Sequence, residues 1–305
     1  MEKRLTTTAM LFSVGFIFMI ICAVAAFFYG MHIGAEKSNA KYASLLPPEE
    51  VAGEAHNYQQ QDLVSFYHTV YSPYREFENE WLNATNKLVQ GQSFDETAMF
   101  NGLAKLASKK AEEARSVNLS KTPLLGYAQT NYIRSLRTFH DAAEKAAKYA
   151  KNDAGEKLLQ AIEQDKIYNE SVQLAFTAQH YYFTAMEKWA VSLDSDLPQQ
   201  YKAQKPLKLD KWKTLPLTIK NRLVAEILKE QKTIQPFLPQ DLTSRIDDFI
   251  TNGQADKMML TTFEQIVQLL IDTKAVRAGD FINNKMKYDE KQLLPQLPYF
   301  YPDNM

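Results

Sequence analysis

Met10 to Tyr29, MLFSVGFIFMIICAVAAFFY, is an unbroken apolar run, and the next side chain that can carry a charge near neutral pH is His32. About 20 such residues at 1.5 Å rise per residue span the roughly 30 Å hydrocarbon core of a bilayer. The run therefore predicts a transmembrane signal-anchor over residues 9–29. Lys3, Arg4 and the amino terminus precede it, so the head, residues 1–8, is expected on the cytoplasmic side and the body outside. Ala23-Val24-Ala25 has the small-x-small form of a signal peptidase site and offers an alternative, secretion after cleavage near Ala25. The run continues through Ala26-Phe27-Phe28-Tyr29, which favours retention as a single-pass anchor.

The remainder reads as all-α. Glycine is scarce, 10 in 305 residues, while Ala, Leu, Lys, Glu and Gln are plentiful, a balance that suits helix over strand. Hydrophobic residues make up 45% of the chain, enough to build a core rather than a disordered ectodomain. Charges nearly cancel, 35 basic against 36 acidic, which removes the electrostatic case for a nucleic-acid partner. Cys22 is the sole cysteine, so the body has neither a disulfide nor a Cys-based zinc site. A disulfide-free exported body of this kind suits a bacterial cell envelope.

A polar stalk, residues 30–56, leads to a predicted up-down four-helix bundle over 57–196. Leu63, Tyr67, Val70, Tyr74, Phe77, Trp81, Ala84 and Leu88 recur at helical spacing and keep their phase across Pro73, which predicts one kinked helix. Ser93-Phe94-Asp95-Glu96 has capping-box form, and a second helix with a Met99, Leu103, Leu106 seam follows. Thr122-Pro123 opens a third, with a stripe from Leu125 through Phe139 to Ala150. A fourth carries Leu158, Ile162, Val172, Phe176, Phe183, Met186, Ala190 and Leu193 as one continuous seam. Residues 197–216 read as a basic linker and 217–287 as a small three-helix domain. Its helices are expected over 219–234, 242–250 and 255–278. The tail, 288–305, is too rich in proline for helix and should dock through its aromatics. The outline is similar to the four-helix extracytoplasmic domains of bacterial transmembrane sensors, although those add a second membrane segment and a cytoplasmic output module.

The chemistry is thin. The sequence lacks a Gly-rich phosphate loop, H-E-x-x-H, G-x-S-x-G and the Glu-x-x-His pair of di-iron bundles. No catalytic residue, metal or cofactor is expected. Two candidate sites remain. Lys202, Lys205, Lys208, Lys211 and Lys213, with Trp212, form a possible contact for anionic wall polymer or lipid headgroups. Within the bundle, Asp165 and Asn169 fall on an apolar seam at the height of His140 and Arg137. They predict a buried polar layer in which Asp165 pairs with His140 or Arg137, unless the helix is rotated to bring Asp165 to water. The expected role is a non-enzymatic, membrane-anchored protein that binds another protein or an envelope component. The alternative is a binder of a small apolar or anionic ligand, for which a cavity lined by Tyr74, Trp81 and Phe183 would be the sign; a cleft carboxylate with a raised pKa would instead point to an enzyme.

Overall fold

The computed structural model describes residues 58–92, 94–117, 119, 122–288 and 292–302. The residues expected to form the head, the signal-anchor and the stalk, and Ser93, lie outside these. Among the described residues no helix is long and apolar enough to cross a membrane. All of them fall in one compact unit, and it is helical apart from a single antiparallel bridge between Lys208 and Thr262.

The bundle begins with one continuous rod: α1 (Gln60–Phe66), a π-helical turn (Tyr67–Tyr71) and α2 (Ser72–Val89). The π turn is what lets the helix pass Pro73. Proline has no N–H for the Thr69 carbonyl and its ring presses on that turn; the ladder widens instead, and the Ser72 amide donates to the Tyr67 carbonyl five residues back. The widening also rotates the face. Phe66 and Tyr71 are fully buried beside Val70, while Tyr67 is half-buried.

Then follow α3 (Glu96–Glu113) and α4 (Pro123–Tyr149). The cap of α3 is Asp95, whose Oδ1 accepts from the Ala98 amide at 2.9 Å. Glu96 reaches away to accept from the Gly155 amide at 3.0 Å. The buried face of α3 is Phe100, Leu103, Ala104, Ala107 and Ala111, turned from the predicted seam because small alanines allow close approach to α4. The Thr122-Pro123 start and the stripe of α4 appear as expected, with Ala150 half-exposed.

The predicted fourth helix is two: α5 (Gly155–Glu163) and α6 (Lys166–Leu193). Asp165 breaks it by capping α6, its Oδ1 accepting from the Ile167 amide at 2.8 Å. Helix α6 packs along α4 and also against a helix of the second half.

That half holds α7 (Leu209–Thr214), α8 (Leu217–Leu228), α9 (Pro239–Thr251), α10 (Gln254–Lys257), α11 (Phe263–Asp272) and α12 (Asp280–Asn284). Helix α8 stops short of the predicted Ile234, which instead turns inward with Phe237. The predicted helix over 255–278 is divided into α10 and α11 by a turn in which Met259 adopts φ +55°. The tail docks by its apolar residues: Leu297 and Phe300 are buried, and the Tyr299 ring sits 5.7 Å from Tyr67 and 5.8 Å from Tyr71.

Candidate functional site

Helix α2 presents Trp81, Thr85 and Val89, four residues apart, on one face, with Leu82 and Asn86 beside them. Facing them are Leu159, Ile162 and Glu163 from α5, Tyr168 from the first turn of α6, residues 231–237, and Ile271 to Val276 at the end of α11. Together these walls enclose a cleft of about 530 Å³, within the range of small-molecule sites. Trp81 forms part of its floor and stacks on Tyr168 at 5.6 Å and 15°. The floor is therefore rigid and aromatic, while Thr85, Asn86, Gln231, Thr233 and Gln235 offer hydrogen bonds above it. The cleft owes its existence to two breaks the apolar pattern concealed. The division of α5 from α6 aims Ile162 and Glu163 at α2, and the early end of α8 frees residues 231–237 to form a wall.

Glu163 stands at the exposed rim of the cleft. Partial desolvation raises its carboxyl above the ordinary range, and the cation of Lys274 opposes that shift. Of the cavity markers Tyr74, Trp81 and Phe183, only Trp81 lines the cleft; Tyr74 and Phe183 are core.

The predicted polar layer is not assembled. Asp165 is buried, but its Oδ2 accepts from the Tyr149 hydroxyl at 2.9 Å and pairs with Lys145. Burial alone would raise its carboxyl; Lys145, the Ile167 amide and Tyr149 outweigh that and leave it below the usual carboxylate range. His140 lies elsewhere, its Nδ1 3.1 Å from Ser108 Oγ and 3.0 Å from the Ala104 carbonyl. Arg137 is half-exposed, 3.6 Å from Glu112. Asn169 donates to the backbone carbonyls of Glu163 and Asp165, at 3.1 and 2.8 Å. The fourth-helix break explains the difference, since the capping turn moves Asp165 off the continuous seam on which the pairing was reckoned.

The basic segment is ordered rather than a loose linker. Leu207, Leu209 and Trp212 are buried, and Trp212 stacks on Phe263 at 4.6 Å while its Nε1 donates to Asp247 Oδ1 at 2.7 Å. Trp212 is thus a core anchor and does not face outward beside the lysines. Lys202, Lys205, Lys208, Lys211 and Lys213 are exposed; Lys205 lies 3.4 Å from Glu226 and Lys213 3.7 Å from Asp210.

Two buried charge clusters gave only a faint sequence signal, a charged residue at an apolar helical position. Arg75 pairs with Glu78 beneath the π turn. Arg222 of α8 donates from Nε to Glu187 of α6 at 2.7 Å, from a terminal nitrogen to Glu226 at 2.7 Å, and to the Tyr201 carbonyl at 2.7 Å. Both brace the fold.

No protein-family model, curated protein or solved structure matches this chain.

Proposed function

We propose that this chain is a non-enzymatic binding protein, anchored in a membrane by Met10 to Tyr29 with its helical body on the extracytoplasmic side, and that it takes an envelope component into the cleft beside Trp81. The cleft carries this reading: its volume, aromatic floor and scattered hydrogen-bonding groups are those of a small-molecule binder. It draws the role toward a small ligand and away from a broad protein interface. The length of the apolar run and the basic head before it support the anchor. Exposed lysines of residues 202–213 would lie against anionic polymer or headgroups, by charge alone since Trp212 is committed to the core.

Glu163 is the observation that favours a second reading, a hydrolase with a single acidic carboxyl in the cleft. Its exposure at the rim weighs for the binding role, because a carboxyl in contact with water keeps most of its ordinary acidity.

Native mass spectrometry of the full chain, extracted with its surrounding lipid, tests the binding role. The wild type should carry a non-protein mass that a cleft-filling Thr85→Trp variant lacks. Equal bound mass in the two proteins, or none in either, would overturn the reading.

A further inference from the structure

We infer that the cleft binds a single-chain lipid anion, its aliphatic chain along the apolar floor and its oxyanion headgroup held by Lys274, Arg277 and Arg245; the inference rests on the binding role proposed for the cleft. The observation behind it is a second cavity, of about 390 Å³, lined by Arg245, Lys274, Ala275, Arg277 and Asp280. Lys274 lines both spaces. It follows the end of α11 in the left-handed backbone region, φ +50°, a conformation that costs a lysine more than a glycine. The turn leaves its side chain where the apolar space and the basic space meet.

The basic cavity holds three cations and one carboxylate, and the carboxylate is engaged. Asp280 Oδ2 accepts from the Arg277 amide at 2.8 Å and lies 3.6 Å from Arg245 Nε. Arg245 Nε donates to the Ala275 carbonyl at 3.1 Å, which fixes the guanidinium plane. The side chains of Lys274 and Arg277 have no carboxylate within ion-pairing distance among the described residues. Surplus cation in a concave space attracts an oxyanion, and guanidinium groups match carboxylate or phosphate through paired N–H donors. On the other side of Lys274, Ile271 and Val276 lead to Ile162, Phe237 and Trp81; this space adds no further cation, and its two carboxylate residues, Glu163 and Asp272, are both exposed. A ligand that satisfies both spaces is apolar along its length and anionic at one end. Glu163, whose carboxyl feels the Lys274 cation, sets the sign of a control: it repels the headgroup, so its neutral variant should bind more tightly.

The test uses full-length protein in lipid nanodiscs and three photoreactive diazirine probes of equal chain length: a fatty acid, an alkyl phosphate and the neutral alcohol. Labelled peptides are mapped by mass spectrometry, so partition of a probe into the bilayer does not obscure the site. At least one anion should label residues 81–89, 231–237 or 271–276, with the neutral alcohol about tenfold weaker, as expected for loss of charge-assisted contacts. Whichever anion labels more strongly identifies the headgroup. Lys274→Gln with Arg277→Gln, both at exposed positions, should reduce anion labelling about tenfold without moving the melting temperature, and Glu163→Gln should increase it. Equal labelling of the cleft by the alcohol and both anions would overturn the lipid-anion assignment while leaving the binding cleft standing. Cleft labelling by none of the three would overturn both.

Discussion

The hydroxyl of Tyr71 is buried in the π turn and has no hydrogen-bond partner among the described residues. It was withdrawn from water without a compensating bond, which costs about 1–3 kcal/mol for a neutral group. Tyr71→Phe should therefore be neutral or stabilising by up to about 1 kcal/mol in urea unfolding, although a buried, bonded tyrosine is ordinarily destabilised by the change. A loss above about 1 kcal/mol would show that the hydroxyl is bonded after all. Asp165 gives the opposite case. It caps α6 and receives Tyr149 and Lys145, so Asp165→Ala should cost about 0.5–2 kcal/mol through the lost cap alone. Its depressed carboxyl adds stability above the ordinary aspartate pKa near 4 that is lost as pH falls below it. A double-mutant cycle with Tyr149→Phe should show coupling, while cycles with His140→Ala and Arg137→Ala should be additive. Additivity with Tyr149 would remove the bond from the account. The sequence left Asp165 either inside and in need of a partner or turned to water. What it concealed was the partner, because the cap that Asp165 makes breaks the very helix along which the register was counted.

Among the elements, ends were more legible than middles. Thr122-Pro123, the Asn252-Gly253 stop and the helix across Pro73 are local chemistry, and the folded chain keeps them. The splits at Asp165 and at Met258 to Thr262 lay within unbroken apolar spacing, and nothing in a period of 3.6 marks a turn that starts a new helix in nearly the same phase. Residues 197–216 were misread for another reason: lysines flank Leu207, Leu209 and Trp212 and mask them. The cleft was invisible for the same cause as the splits, since its walls are made by them. The joint between α6 and α8 is the element-scale feature to test. Arg222 and Glu187 are both buried, so Arg222→Met should cost about 3–5 kcal/mol by leaving Glu187 unpaired. The double variant with Glu187→Met should recover most of that loss; no recovery would place the energy elsewhere. His180, on the same joint, is held neutral: burial, then the cations of Lys229 and Arg222, push its imidazole down to about 3. The unfolded chain takes up that proton near the ordinary pKa of about 6.5 and the folded one does not. Stability should accordingly fall as pH drops below about 6.5, by up to about 1.4 kcal/mol per unit. His180→Gln should flatten this slope between about pH 6.5 and 5, and an unchanged slope would contradict the assignment.

For the molecule as a whole, the tail acts as a clasp. Phe300 meets Phe281 of α12 at 5.6 Å, while its neighbour Tyr299 meets Tyr67 and Tyr71 of the π turn. Phe300 is fully buried, so Phe300→Ala should cost about 3–5 kcal/mol. If the clasp joins both halves, fluorescence from the bundle and hydrogen exchange in α12 should report the same lower midpoint; separate midpoints in the wild type would show that the halves unfold independently. One consequence concerns time. A polypeptide is made from its amino terminus, and Tyr67 and Tyr71 emerge long before Tyr299. Until residues 292–302 arrive, the side of the π turn that Tyr299 covers stays open, and that segment must close a long loop to reach it. A chain cut short before residue 292 therefore lacks the ring that covers Tyr67 and Tyr71.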